Sequence, residues 1–183
     1  DDDSAGDDDD SAGDDDDSAG DDDDSTAAFS FSAGLWSVDF SQGPPSYSLD
    51  ECTMATGVPG VPMGWELTHT GVGSNGELTD FQIMAAFTSI TPALQCSLAG
   101  DQSWACVQGA WNEGIGVGAN EAIIAHTWGL QGTFLDSTSS NFSASVTLAC
   151  VSGNCAAVEQ QFNTTFPCAS NYGAALEFAV ALP

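Results

Sequence analysis

The chain has no lysine and no arginine, against 27 acidic residues and two histidines, for a formal net charge of -27 at pH 7. That absence excludes several functions at once. Nucleic-acid binding works by displacing phosphate counterions with cationic side chains, and there are none. Attraction to anionic lipid headgroups fails for the same reason. Phosphate clamps, lysine Schiff bases and arginine fingers are lacking as well. No salt bridge to Lys or Arg can form, although exposed pairs contribute at most about 1 kcal/mol each. No apolar run reaches the length of a membrane-spanning helix. An initiating Met is also missing. The first residue is Asp1, as expected where an export signal has been removed or the chain trimmed.

Cysteine is present in an even number: Cys52, Cys96, Cys106, Cys150, Cys155 and Cys168. The spacings between neighbours do not give the two-residue gaps of a zinc ribbon, so three disulfides and an oxidising compartment are expected. Cys96 and Cys106 flank Gly100-Asp101 and are expected to pair across a hairpin. The other four allow three pairings, of which Cys155–Cys168 with Cys52–Cys150 is preferred.

Fifteen of the 27 acids lie in residues 1–24, leaving twelve for the rest. Asp7–Gly13 and Asp14–Gly20 both read DDDDSAG, with partial copies on either side. Ala is the only apolar residue of the unit, so there is no seam for a coiled coil. Residues 1–26 are expected to be a disordered acidic spacer, and 27–183 a single domain. Fully extended, the spacer reaches about 80 Å. Its runs lack an ordered calcium loop, so no specific metal and no cofactor is expected, only nonspecific Ca²⁺ association.

DDDDSAGDDDDSAG resembles the spacers that follow the lipidated cysteine in surface lipoproteins of myxobacteria and related predatory bacteria. Phe142–Cys155, FSASVTLACVSGNC, resembles a Cys-bearing strand and turn of small domains in such proteins. The resemblance implies a secreted or outer-surface location, with a lipid anchor upstream of this chain. It implies no catalytic residues.

From Phe29 onward, period-two alternation dominates. Phe142, Ala144, Val146, Leu148 and Cys150 share a face. So do Ala174, Leu176, Phe178, Val180 and Leu182, and likewise Ile124, His126, Trp128, Leu130 and Phe134. Met63, Trp65 and Leu67 form another, as do Phe81, Ile83, Ala85 and Phe87. In Phe29–Phe40 the phase changes at Gly34, as a bulge would produce. Turn signals separate these runs at Gly43-Pro44-Pro45, Gly57-Val58-Pro59-Gly60, Ser74-Asn75-Gly76 and Asp136–Ser140. The pattern predicts an all-β domain of about eight strands, an antiparallel sandwich or closed barrel. Thr91–Leu98 and Ala156–Phe162 are the two stretches where a helical turn fits.

The candidate sites are few. His69 and His126 each continue an apolar face and read as core-edge histidines with one hydrogen bond, since no third metal ligand has diagnostic spacing. Gly114, Gly116 and Gly118 read as a tight turn rather than a phosphate cradle, because Glu113 and Glu121 flank them. G-x-S-x-G is absent, and Asp50-Glu51 would point opposite ways on a strand, so no catalytic residue is assigned. Asn141-Phe142-Ser143 and Asn163-Thr164-Thr165 fit the N-glycosylation pattern. Trp36, Trp65, Trp104, Trp111 and Trp128 are the candidate ligand-binding residues: core if buried, a sugar-binding surface if exposed together. Gly34-Leu35-Trp36 resembles the G-x-W near the first strand of lipocalins, without the late basic residue that packs there in that family.

These observations lead to a non-enzymatic, exported surface-lipoprotein ectodomain for adhesion, recognition or envelope structure, with a glycan or protein partner. The alternative is a lipocalin-like barrel carrying a small apolar ligand. A hydrolase using convergent carboxylates comes third.

Overall fold

Alternating strands bury one face and wet the other, and here they close that face onto itself. A computed structural model describes residues 28–55, 62–86, 92–116 and 118–182. The spacer, the turn at 57–60 and Phe87 lie outside the described residues. The strands are β1 (Gly34–Val38), β2 (Ser46–Asp50), β3 (Gly64–Val72), β4 (Leu78–Ala85), β5 (Leu94–Leu98), β6 (Ser103–Cys106), β7 (Gly109–Ile115), β8 (Ala122–Phe134), β9 (Ser139–Gly153) and β10 (Cys168–Val180). Among the described residues the one α-helix, α1 (Cys155–Phe162), precedes β10, and Phe40–Gln42 and Gly118–Asn120 form short 3-10 turns.

Every pairing is antiparallel. The order runs β1-β3-β4-β5-β6-β8-β9-β10, and β10 returns to β1, so eight positions form a closed barrel. Two of those positions hold interrupted strands. Along one edge of β10, β1 pairs with Leu176–Val180 and β2 with Ser170–Gly173. Along one edge of β8, β6 pairs with Gln131–Thr133 and β7 with Ala122–Trp128. The sandwich alternative is therefore set aside. Most inward residues are apolar, His126, Ser140 and Ser170 being the buried exceptions, while the outward residues midway along β8 and β9 (Thr127, Gln131, Asn141, Ser143, Ser145 and Thr147) are polar. That is the reverse of a membrane barrel, which is apolar outside. Among the described residues no helix is long and apolar enough to cross a membrane.

Several expectations need correction. Only Cys96–Cys106 pairs as expected; the others are Cys52–Cys168 and Cys150–Cys155. The cause is register. Asp50 lies opposite Ser170, which brings Cys52 beside Cys168 as β2 leaves β10. Cys150 and Cys155 flank the Gly153 turn at the foot of α1. The stretch Thr91–Leu98 is no helix in its described part, because Leu94–Leu98 is β5. The helical reading of Ala156–Phe162 holds. The phase change near Gly34 is a register shift between Leu35 and Trp36 against β10. Phe40, Met63, Val180 and Leu182 continue apolar faces in sequence yet are about half exposed, because the strands end there.

Candidate functional site: the tryptophan end of the barrel

All five tryptophans point into the barrel, so none forms an exposed sugar platform. Trp36, Trp65, Trp104 and Trp128 are at most 3% exposed, and Trp111 is half-buried. They divide between two ends with different chemistry.

One end is built of phenylalanine. Phe134 touches Phe29, Phe31, Trp36, Phe81 and Trp104, with ring centroids 4.5–6.1 Å away. The segment before β1 lies across this end: Phe31 stacks on Phe134, and the Ser32 N–H donates to the Ser137 carbonyl. Every polar group placed here by an indole is answered. Trp36 Nε1 donates to the Ser32 carbonyl at 2.9 Å, and Trp104 Nε1 to Ser140 Oγ at 3.3 Å. Trp104 lies opposite Gly132, where a Cβ would collide with the Asn141 carbonyl and the indole itself. His69 is at the rim, its Nε2 against the Phe31 carbonyl at 2.9 Å, as a core-edge histidine should be.

The other end carries Trp65, Trp111, Trp128, His126 and Tyr172. Centroid distances of 4.9–6.4 Å link Trp65 to Trp128, Trp128 to Trp111 and Tyr172, and Trp111 to His126, which stack at 13°. Among the described residues, the Nε1 atoms of Trp65, Trp111 and Trp128, both ring nitrogens of His126 and Tyr172 Oη are buried without a hydrogen-bond partner. Burial of such a group unpaired costs about 1–3 kcal/mol, and folded proteins rarely tolerate several together. His126 thus departs from the expected satisfied histidine.

Glu113, opposite Ile124 on the inward face of β7, brings Oε2 within 3.1 Å of His126 Nε2. The approach lacks hydrogen-bond alignment. Desolvation lowers His126 to a pKa of about 4 and raises Glu113, so burial disfavours the charged form of each. These shifts oppose an ion pair, and at neutral pH His126 is an uncharged imidazole. Burial also raises Tyr172, with the neighbouring Tyr47 adding to the shift.

This end is closed differently. Among the described residues β2 pairs only with β10 and β7 only with β8, so the ring of hydrogen bonds is complete at the phenylalanine end alone. In place of strand pairing, the Cys52–Cys168 bond ties the end of β2 to β10. Thr53 Oγ1 donates to the Phe162 carbonyl, and α1 buries Val158. Trp111 and Glu113, on the one-sided strand β7, are the members of the cluster that reach solvent.

The remaining candidates are structural. Asp50 accepts from the backbone of Met54 and Ala55 and from Ser170 Oγ, and Glu51 accepts from the Ala169 N–H. The glycines at 116 and 118 take positive φ in the β7–β8 turn, whereas Gly114 lies within β7. Asn141 is outward on β9, and Asn163 is the left-handed cap of α1. Among the described residues no group of three His, Cys, Asp or Glu side chains is arranged to hold a metal.

No known protein family, curated protein or solved structure matches the chain. The sequence reading missed the cluster as a unit because an unanswered donor depends on neighbours, not on its own residue type.

Proposed function

We propose that the protein is a non-enzymatic recognition domain, exported and displayed on its acidic spacer, which binds a small molecule at the tryptophan end of the barrel. The supporting observation is the concentration there of buried donors without acceptors, while the indoles of the opposite end have theirs. A ligand bearing acceptors relieves that cost on binding. The engagement of Asp50 and Glu51 with backbone and hydroxyl donors favours binding over carboxylate catalysis.

A second reading places recognition on the outside. The outward rows Thr127–Thr147–Ala169, Gly129–Ser145–Asn171 and Gln131–Ser143–Gly173 form an uncharged strip on an otherwise acidic chain. The second and third of these rows line a groove of about 500 Å³ with Ser46 and Ser48, and the first lies in a neighbouring groove of about 320 Å³. A thermal-shift screen of the intact chain against neutral sugars, nucleosides and apolar amines separates the two. Binding that is lost in Trp128→Phe and kept in Ser145→Glu supports the interior site. The opposite pattern moves recognition to the outer strip.

A further inference from the structure

The chemistry of the tryptophan end restricts what it can take, and this step rests on the reading just proposed. An indole N–H can only donate, so Trp65, Trp111 and Trp128 require acceptors from the ligand. A purely apolar ligand would leave all three as they are, still buried and unpaired. That argues against the apolar cargo expected of a lipocalin-like carrier.

An anionic ligand meets no cation. The chain has no Lys or Arg, His126 is neutral, and the Glu113 carboxyl stands 3.1 Å from the imidazole. Burying an unpaired anion beside a carboxyl is strongly unfavourable. A cation is drawn to Glu113 and to the indole faces, yet an ammonium group has no acceptor for the indole N–H groups, so the occupant is neutral. Glu113 adds the complementary demand, because its carboxyl oxygens accept and call for a ligand donor. Hydroxyl groups meet both demands at once.

The walls add shape. Indole faces at Trp65, Trp111 and Trp128, tilted 37–61° to one another, favour rings with apolar C–H faces and polar rims. We propose that the tryptophan end takes a neutral pyranose sugar. Its hydroxyl and ring oxygens accept from the Trp65, Trp111 and Trp128 indoles and from the Tyr172 hydroxyl, and one hydroxyl donates to Glu113. Trp65, Trp128, Tyr172 and His126 are 1–3% exposed, so the ligand-free side chains fill the site themselves. Access is along β7, where the half-buried Trp111 ring shifts on its stack with His126 to admit the sugar and keeps its N–H within reach of it.

The test is titration of the full chain with glucose, galactose, N-acetylglucosamine, maltose and cellobiose, followed by intrinsic tryptophan fluorescence and calorimetry. Adenosine and N-phenyl-1-naphthylamine serve as the planar and apolar comparison probes. The expected result is saturable binding of at least one sugar. Trp128→Phe should weaken it about tenfold, the loss of one hydrogen bond, and Glu113→Gln by a similar factor. Trp104→Phe, at the other end, should leave it unchanged. Glu113 is partly exposed, so its variant remains informative should Trp128→Phe misfold. Saturable binding of adenosine or the naphthylamine with no sugar binding overturns the sugar assignment and leaves an interior site standing. No binding by any probe, with ordered water on the indole nitrogens in a high-resolution crystal structure, overturns both.

Discussion

The two ends of this barrel are lined by similar aromatic side chains and treat them differently. At the phenylalanine end, hydrocarbon rings pack on Phe134 and the two indoles find acceptors at Ser32 and Ser140. At the tryptophan end, three indoles, a phenol and an imidazole pack on one another, with the Glu113 carboxyl beside the imidazole but not aligned to bond it. Composition does not make this difference, since both ends are rich in aromatics. What differs is the supply of acceptors and the closure of the sheet. The end whose ring of strands is complete among the described residues has its polar groups answered. The end held by a disulfide and a short helix does not. A domain that only needed stability would gain from satisfying the second end like the first, which is the pattern expected where function is placed against stability.

The largest expected effect concerns that closure. Cys52–Cys168 spans 116 residues, against 10 and 5 for the other two bonds. Loop-closure entropy alone assigns it about 5 kcal/mol, then about 3 and about 2. Replacing Cys52 and Cys168 by alanine should therefore destabilise most in denaturant melts, and hydrogen exchange should rise first in β2. Equal losses from the Cys96–Cys106 and Cys52–Cys168 double variants would remove the structural distinction between the ends.

Next comes Phe134→Ala. The side chain is 1% exposed and touches five other rings, so about 3–5 kcal/mol should be lost in urea unfolding. A loss below about 1 kcal/mol would mean that the phenylalanine end is not the rigid half.

A smaller effect follows from His126. Its folded pKa of about 4 lies below the ordinary value of 6.5, so the unfolded chain binds the proton first. Stability should be present above pH 6.5 and fall as pH drops toward about 4. The upper bound is about 3 kcal/mol. Glu113, shifted upward by burial, works in the opposite direction and offsets part of the loss. Thermal melts of the native chain and His126→Phe across that window should diverge, with the variant losing less. Parallel curves would show that His126 is solvated.

How much of this the sequence displays follows from how far each feature depends on distant parts of the chain. The long strands are plain: Phe142 to Leu148 and Ile124 to Leu130 alternate without interruption and do point inward. The barrel positions shared by β1 with β2 and by β6 with β7 are not, because short segments with a turn between them look like separate strands. Met63 and Val180 show where alternation outruns the sheet. The Cys96–Cys106 pairing is legible because it lies within one hairpin. The Cys52–Cys168 pairing depends on β2 meeting β10, a register no local pattern contains. The five tryptophans are visible as candidates, but their division by acceptor supply exists only in three dimensions.

The smallest expected effect tests the account most directly. In the ligand-free protein, urea unfolding of Ser140→Ala and Tyr172→Phe should differ in sign. Ser140 Oγ accepts from Trp104 and donates to the Thr133 carbonyl, so its loss should cost about 1–3 kcal/mol. The Tyr172 hydroxyl is buried with no partner among the described residues, so its removal should leave stability unchanged or raise it by about 1 kcal/mol. A loss of 1 kcal/mol or more in Tyr172→Phe would show that the hydroxyl is already bonded, and the contrast between the two ends would fail.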